Sequence, residues 1–191
     1  MKRITIDPIT RLEGHGKIEI FLDDEGNVAN AYLQIPELRG FEQFSVGRPA
    51  EEMPRITTRI CGVCPWSHHL ASAKATDAVF GVEPASAGKK LRDLCNSIAY
   101  MEEHILHFYF LAGADFVLGP GADYSVRNVF GIIDAAPDVA KQVVRCRHMA
   151  GHMLEIISGK AIHPSAAVPG GVSRPMLENE RQDLMKMADE C

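Results

Sequence analysis

Arg59–Ala71 reads RICGVCPWSHHLA. Cys61 and Cys64 are separated by two residues, so both sulfurs can reach one metal ion from a single tight turn. His68 follows four residues after Cys64 and His69 directly after that, where the chain enters a helix written LASAKATDAVF. Thiolates are soft ligands that suit zinc, nickel and iron, and a nearby imidazole serves as a further ligand or a proton relay. Other readings stand beside this one. A structural zinc site normally takes four protein ligands, yet Cys95, Cys146 and Cys191 are isolated, so only Cys61, Cys64 and His68 form a partial set. A redox dithiol also places Cys-x-x-Cys at a helix start, although the preceding EEMPRITTR is polar and carries a proline rather than forming an apolar strand. Two inert buried thiols complete the alternatives.

Outward from this stretch, the composition sets bounds. With 191 residues and 46% hydrophobic content the chain can bury a core, and one domain is the default. A formal net charge of -5 argues against nucleic acid or an acidic membrane as partner. Five cysteines without a paired framework point to a reducing, cytoplasmic compartment. The first residues hold no apolar run long enough for a signal peptide or a membrane span.

Before the cysteines, the pattern predicts a β-hairpin. Ile18, Ile20 and Leu22 alternate with polar positions, DDEGN makes a turn, and Ala29, Ala31, Leu33 and Ile35 alternate again. RLEGHG, Arg11 to Gly16, precedes the hairpin and RGFE, Arg39 to Glu42, follows it. Charged residues beside glycines ordinarily mean a solvated loop.

After the cysteines, helices take over. From Pro84, the residues Ala87, Leu91, Leu94, Ile98, Met101, Ile105 and Phe108 recur at helical spacing, with His104 and His107 sharing a face, until GADFVLGPGADYS ends the helix. A second helix is expected from Pro137 to Gly159, burying Val139, Val143, Met149, Met153 and Ile157. HPSAAVPGGVSRP then reads as a Pro/Gly-rich turn region containing His163, and MLENERQDLMKMADEC is a third helical pattern running to Cys191 without a terminator. The fold class expected is α+β and mainly helical, a β-hairpin followed by long packed helices. By motif, residues 1–58 carry the hairpin and the two charged loops, and 59–191 the cysteine turn and helices.

Taken in order, RLEGH, RGFE, RICGVCPWSHHLAS and HPSAAVPGGV resemble the large subunit of a nickel–iron hydrogenase. HILHFYFLAGADF and RNVFGIIDAAPDVA are similar to the cytosolic, methyl-viologen-reducing type that works with heterodisulfide reductase in methanogenesis. The resemblance runs from about Ile4 to the end and implies the N-terminal part of that large-subunit fold. It implies a Ni–Fe(CN)2CO centre held by two Cys-x-x-Cys pairs, with Cys61 a terminal nickel ligand and Cys64 bridging nickel and iron. The family's second pair, in a DPCxxC motif, has no counterpart here, and Cys191 is single. The chain is therefore expected to be the N-terminal part of a large subunit, inactive alone and completed by the remainder of that subunit or by a second chain.

The resemblance carries further roles residue by residue. Glu13 matches the glutamate that takes the proton from a nickel-bound thiolate, and a carboxylate suits a relay because it both accepts and gives a proton. Glu42 matches a ligand of a structural magnesium ion, a hard cation that prefers oxygen. His68 matches a histidine that hydrogen-bonds a bridging sulfur. Glu103 falls where many relatives have an aspartate over the active site. His104, His107 and His163 match family positions of packing and hydrogen bonding. An iron–sulfur small subunit is the implied electron-carrying partner. The competing functions are a non-catalytic relative of the complex I 49-kDa-type subunit, which shares the fold without the metal, and a zinc-binding interaction module.

Overall fold

The computed structural model describes residues 2–37 and 40–191. It contains two compact units, Met1–Gly40 and Phe41–Cys191. The boundary at Gly40 places Phe41 and Glu42 of the RGFE motif with the helices, while Arg39 lies outside the described residues.

The first unit is a three-stranded antiparallel sheet. The expected hairpin is strands β2 (Lys17–Leu22) and β3 (Val28–Gln34), and an additional strand, β1 (Lys2–Ile6), pairs with the other edge of β2. Registers Ile4↔Ile20 and Ile6↔Ile18 on one side, with Ile18↔Leu33 and Ile20↔Ala31 on the other, put these side chains on one face. The turn closes through Asp23 N–H to the Asn27 carbonyl at 2.9 Å. Between Phe21 and Leu22 the register shifts, so Phe21 faces Asn30 and Leu22 faces Val28. Ala29 is the extra residue of a bulge, which alternation alone does not reveal.

The second unit is helical. Short α1 (Phe41–Ser45) and α2 (Met53–Thr57) lead through 3-10 turns to the cysteine stretch and to α3 (Pro65–Phe80). α3 begins earlier than LASAKATDAVF suggests, because Pro65 at its first turn has the backbone angle a helix start needs. α4 (Ser86–Leu106) passes into a π turn over His107–Ala112 and continues as α5 (Gly113–Val117). The helix thus overruns the expected stop at Gly113. The wider π turn also rotates Phe108 off the apolar face, leaving it 46% exposed. Gly113 is needed there, since a Cβ would meet the Phe108 carbonyl oxygen at 2.9 Å.

A short helix, α6 (Val129–Ala135), precedes α7 (Pro137–Ser158), whose two ends fall where Pro137 and Gly159 place them. Val139 proves exposed and Met149 half-buried, while Cys146, Ala150 and Leu154 turn inward instead. The buried stripe lies closer to the small residues because Ala150 lets α7 sit against its neighbours. A two-stranded ribbon, β4 (Ala167–Val168) with β5 (Gly171–Val172), lies within the Pro/Gly-rich region. α8 (Glu178–Glu190) ends the described chain. Trp66, Leu70, Cys95, Ile98, Ala150, Met153, Leu154 and Leu184 form one core joining α3, α4, α7 and α8. Among the described residues, no helix is long and apolar enough to cross a membrane.

Candidate metal centre

Cys61 leaves the 3-10 turn Thr58–Ile60 in an extended conformation, and Cys64 caps the start of α3. Between them the chain folds back far enough for the Cys64 N–H to donate to the Cys61 sulfur at 3.1 Å. His68 stands one helical turn beyond Cys64 and therefore on the same face. The ligand atoms of Cys61, Cys64 and His68 all lie within 4.8 Å of one another, and all three residues are half-buried. Two soft sulfurs and an imidazole at that separation suit a soft or borderline metal.

His69, the next residue, points the other way. It is 1% exposed, its Nδ1 lies 2.7 Å from the Pro54 carbonyl oxygen, and its Nε2 lies 2.9 Å from the Ala167 nitrogen. A backbone N–H can only donate, so Nε2 is the acceptor and Nδ1 carries the proton. Burial holds the imidazole below its ordinary pKa against the opposing pull of the Pro54 carbonyl, and the charge of Arg92 adds to the lowering. Adjacent histidines thus divide the work, His68 beside the sulfurs and His69 a neutral strut between α2, α3 and β4.

A deeper network fixes the loop around the site. Arg92 Nη1 donates to Asp77 at 2.5 Å, Nε to the Gly171 carbonyl at 2.9 Å and Nη2 to the Val168 carbonyl at 2.8 Å, while the Gly170 N–H donates to Asp77 at 2.8 Å. Burial alone would raise the Asp77 carboxyl, but Arg92 and the Gly170 N–H hold it below its usual range. At the other end of the loop, His163 takes a left-handed backbone with φ 57 and bonds the Thr58 carbonyl oxygen through Nδ1 at 2.9 Å. These partners carry no spacing signal in the sequence, because they join residues far apart in the chain.

Glu103 lines a groove of about 380 Å³ together with Cys64, Ser67, His104 and His107. The neighbouring Glu102 pairs with Arg147 at 2.9 Å, tying α4 to α7 beside it. Glu42 lies on α1 and is exposed. In the first unit, Glu13 is exposed on the loop before β2, flanked by left-handed Arg11 (φ 59) and Gly14 (φ 78). That loop is clasped by the Ile9 N–H to the Gly16 carbonyl at 3.0 Å. His15 adds a second clasp, its backbone N–H and Nδ1 meeting Glu37 Oε1 at 2.5 and 2.8 Å. At Gly16 an added Cβ would meet the side-chain ends of Ile9 and Leu12 at 2.9 Å, so those two residues would have to shift. Glu37 is a participant that the sequence pattern does not mark.

A family model described as HoxL-like matches residues 3–38, and one described as nickel-dependent hydrogenase matches residues 39–121. The chain is 54% identical over 190 residues to a subunit of the F420-non-reducing hydrogenase vhu from Methanocaldococcus jannaschii, covering 100% of this chain and 46% of the relative. Among solved structures, an NAD+-reducing [NiFe]-hydrogenase in its H2-reduced state superposes with a TM-score of 0.83 at 44% identity, over 100% of this chain and 42% of that one. The Ni-Fe-Se hydrogenase of D. vulgaris Hildenborough matches with a TM-score of 0.77 at 30% identity, over 99% and 41%. The chain thus spans less than half the length of these relatives. The ordered motifs, the fold and the cysteine turn agree: the chain belongs to the nickel-dependent hydrogenase family and corresponds to the N-terminal part of its large subunit.

Proposed function

We propose that this chain supplies Cys61 and Cys64 as thiolate ligands of a nickel–iron centre in a hydrogenase complex that splits or forms dihydrogen. The observation that carries this reading is the convergence of the Cys61, Cys64 and His68 ligand atoms within 4.8 Å at the start of α3. Cys64 would be the thiolate shared by the two metals, and two further thiolates would come from outside these 191 residues. When bound, the Ni–Fe(CN)2CO centre provides the electrophilic site for heterolytic cleavage of dihydrogen.

The protein's own residues supply the rest. Glu13, held by its clasped loop, receives and returns the proton. His68 stays near the sulfurs, where an N–H can donate to the bridging thiolate and tune it. Glu103, in the groove beside Cys64, sets the charge above the site. Glu42 supplies an oxygen ligand to a structural magnesium ion. An iron–sulfur partner subunit carries the electrons, with heterodisulfide reductase as a further acceptor, in the cytoplasm. Kinship with a chain of an F420-non-reducing hydrogenase supports this assignment.

Metal analysis and infrared spectroscopy of the assembled complex test the reading. Nickel is expected together with bands from iron-bound CO and cyanide, and iron in excess of nickel because the iron–sulfur partner brings iron of its own. Absence of nickel and of those bands would instead support a structural relative of the complex I type, and zinc in place of nickel an interaction module.

A further inference from the structure

Beside the loop that follows α7, positive charge gathers without a counter-charge. A pocket of about 480 Å³ is lined by Arg55, Arg59, Lys160 and His163, with Phe44 and Ile56 among its apolar walls, and no acidic side chain borders it among the described residues. Every other described arginine in this unit has a carboxylate partner. Arg55, Arg59 and Lys160 have none among the described residues, although the chain as a whole carries a net charge of -5. Arg55 on α2 and Arg59 on the 3-10 turn that follows it bring two like charges to the same pocket wall. Uncompensated cations held together in an acidic protein gain most from an anionic ligand.

The walls narrow the choice of ligand. Guanidinium groups match carboxylates and phosphates in paired hydrogen bonds. Phe44, 45% exposed, and the Ile56 side chain offer nothing to a small inorganic anion, and such an anion would fill a minor part of the pocket. An acidic side chain with apolar neighbours uses both surfaces. We propose that this pocket receives an acidic peptide segment of a partner chain. The proposal rests on the reading that the chain works in a multi-subunit complex, and it names where one partner is held.

Carbodiimide coupling is the direct test. It joins a lysine amine to a carboxylate in contact, forming an amide as the activated carboxylate oxygen leaves with the reagent as a urea. Applied to the assembled complex and read by peptide mass spectrometry, it should link Lys160 to an aspartate or glutamate of another chain. Arg55→Glu combined with Arg59→Glu should lower that yield on the order of tenfold and move dissociation of the complex to lower salt. Lys160→Arg should remove the link while assembly persists, which separates lost reactivity from misfolding. The proposal is overturned if Lys160 links only within its own chain or to nothing, or if inorganic phosphate protects Lys160 from acylation where no interchain link forms. Nickel content and the infrared bands of iron-bound CO and cyanide in the same sample report on the centre separately, so failure of that reading would not imitate failure of this one.

Discussion

The Nε2 of His69 accepts the backbone N–H of Ala167 at 2.9 Å, spanning 98 residues of sequence. The bond works only while the imidazole is neutral, and burial keeps it so. With the folded pKa below the ordinary 6.5, the unfolded chain binds the extra proton first as pH falls. Stability from this bond is therefore full above about pH 6.5 and declines as pH drops toward the folded value. The protection of the Ala167 amide against hydrogen exchange, relative to its intrinsic rate at each pH, should fall on acidification more than that of the core amides of α7. His69→Gln should flatten the pH response below about pH 6.5.

Cys64→Ser should abolish the dinuclear centre in the assembled complex, because a serine hydroxyl does not bridge two soft metals. Nickel should be lost, along with the infrared bands of iron-bound CO and cyanide, while the iron of the iron–sulfur partner remains. Retention of stoichiometric nickel and of those bands in that variant would remove Cys64 from the bridging position.

The 191-residue chain purified alone under anaerobic conditions should hold little nickel. On the proposed reading its cysteine pair is half of the thiolate set, and metal held by two thiolates and water exchanges readily. Equilibrium dialysis against nickel measures this, and tight stoichiometric binding would contradict the half-site assignment.

Glu13→Gln keeps the shape and one hydrogen bond but cannot carry a proton. In the assembled complex, dihydrogen–deuterium exchange should fall by about two to four orders of magnitude with nickel content unchanged. Normal exchange would take Glu13 out of the proton route.

Asp77→Ala leaves the Arg92 guanidinium, whose side chain is 4% exposed, buried without its counter-ion. Loss of one partner from a buried pair costs about 3–5 kcal/mol, so chemical denaturation of the complex should show marked destabilisation. A milder effect is expected for Lys141→Ala, whose partner Asp138 is 95% exposed.

Legibility followed the range of the physics. The β2–β3 hairpin, the ends of α7 at Pro137 and Gly159, and the Cys61–Cys64–His68 cluster rest on local patterns of two, three or four residues, and these were readable in sequence. β1 was not, because KRITI is short and its partner strand lies beyond a polar loop. α6 is seven residues long and nearly all apolar, so it has no period, although Asn128 capping Phe130 and Gly131 marks its start. The roles of His69, Asp77, Arg92 and Glu37 come from contacts across 15 to 98 residues, for which no spacing rule exists.

The loop between α7 and α8 has little regular structure, yet it is stitched down along its length. Ser158 holds the Lys160 carbonyl, His163 holds Thr58, Ala167 is held by His69, and Val168, Gly170 and Gly171 are held by Arg92 and Asp77. At Gly88 the helix α4 comes so close that an added Cβ would meet the Gly171 Cα at 3.2 Å. A surface built on such a loop is preorganised. Little conformational freedom remains to be lost when another molecule settles on it, so more of the contact energy survives as affinity.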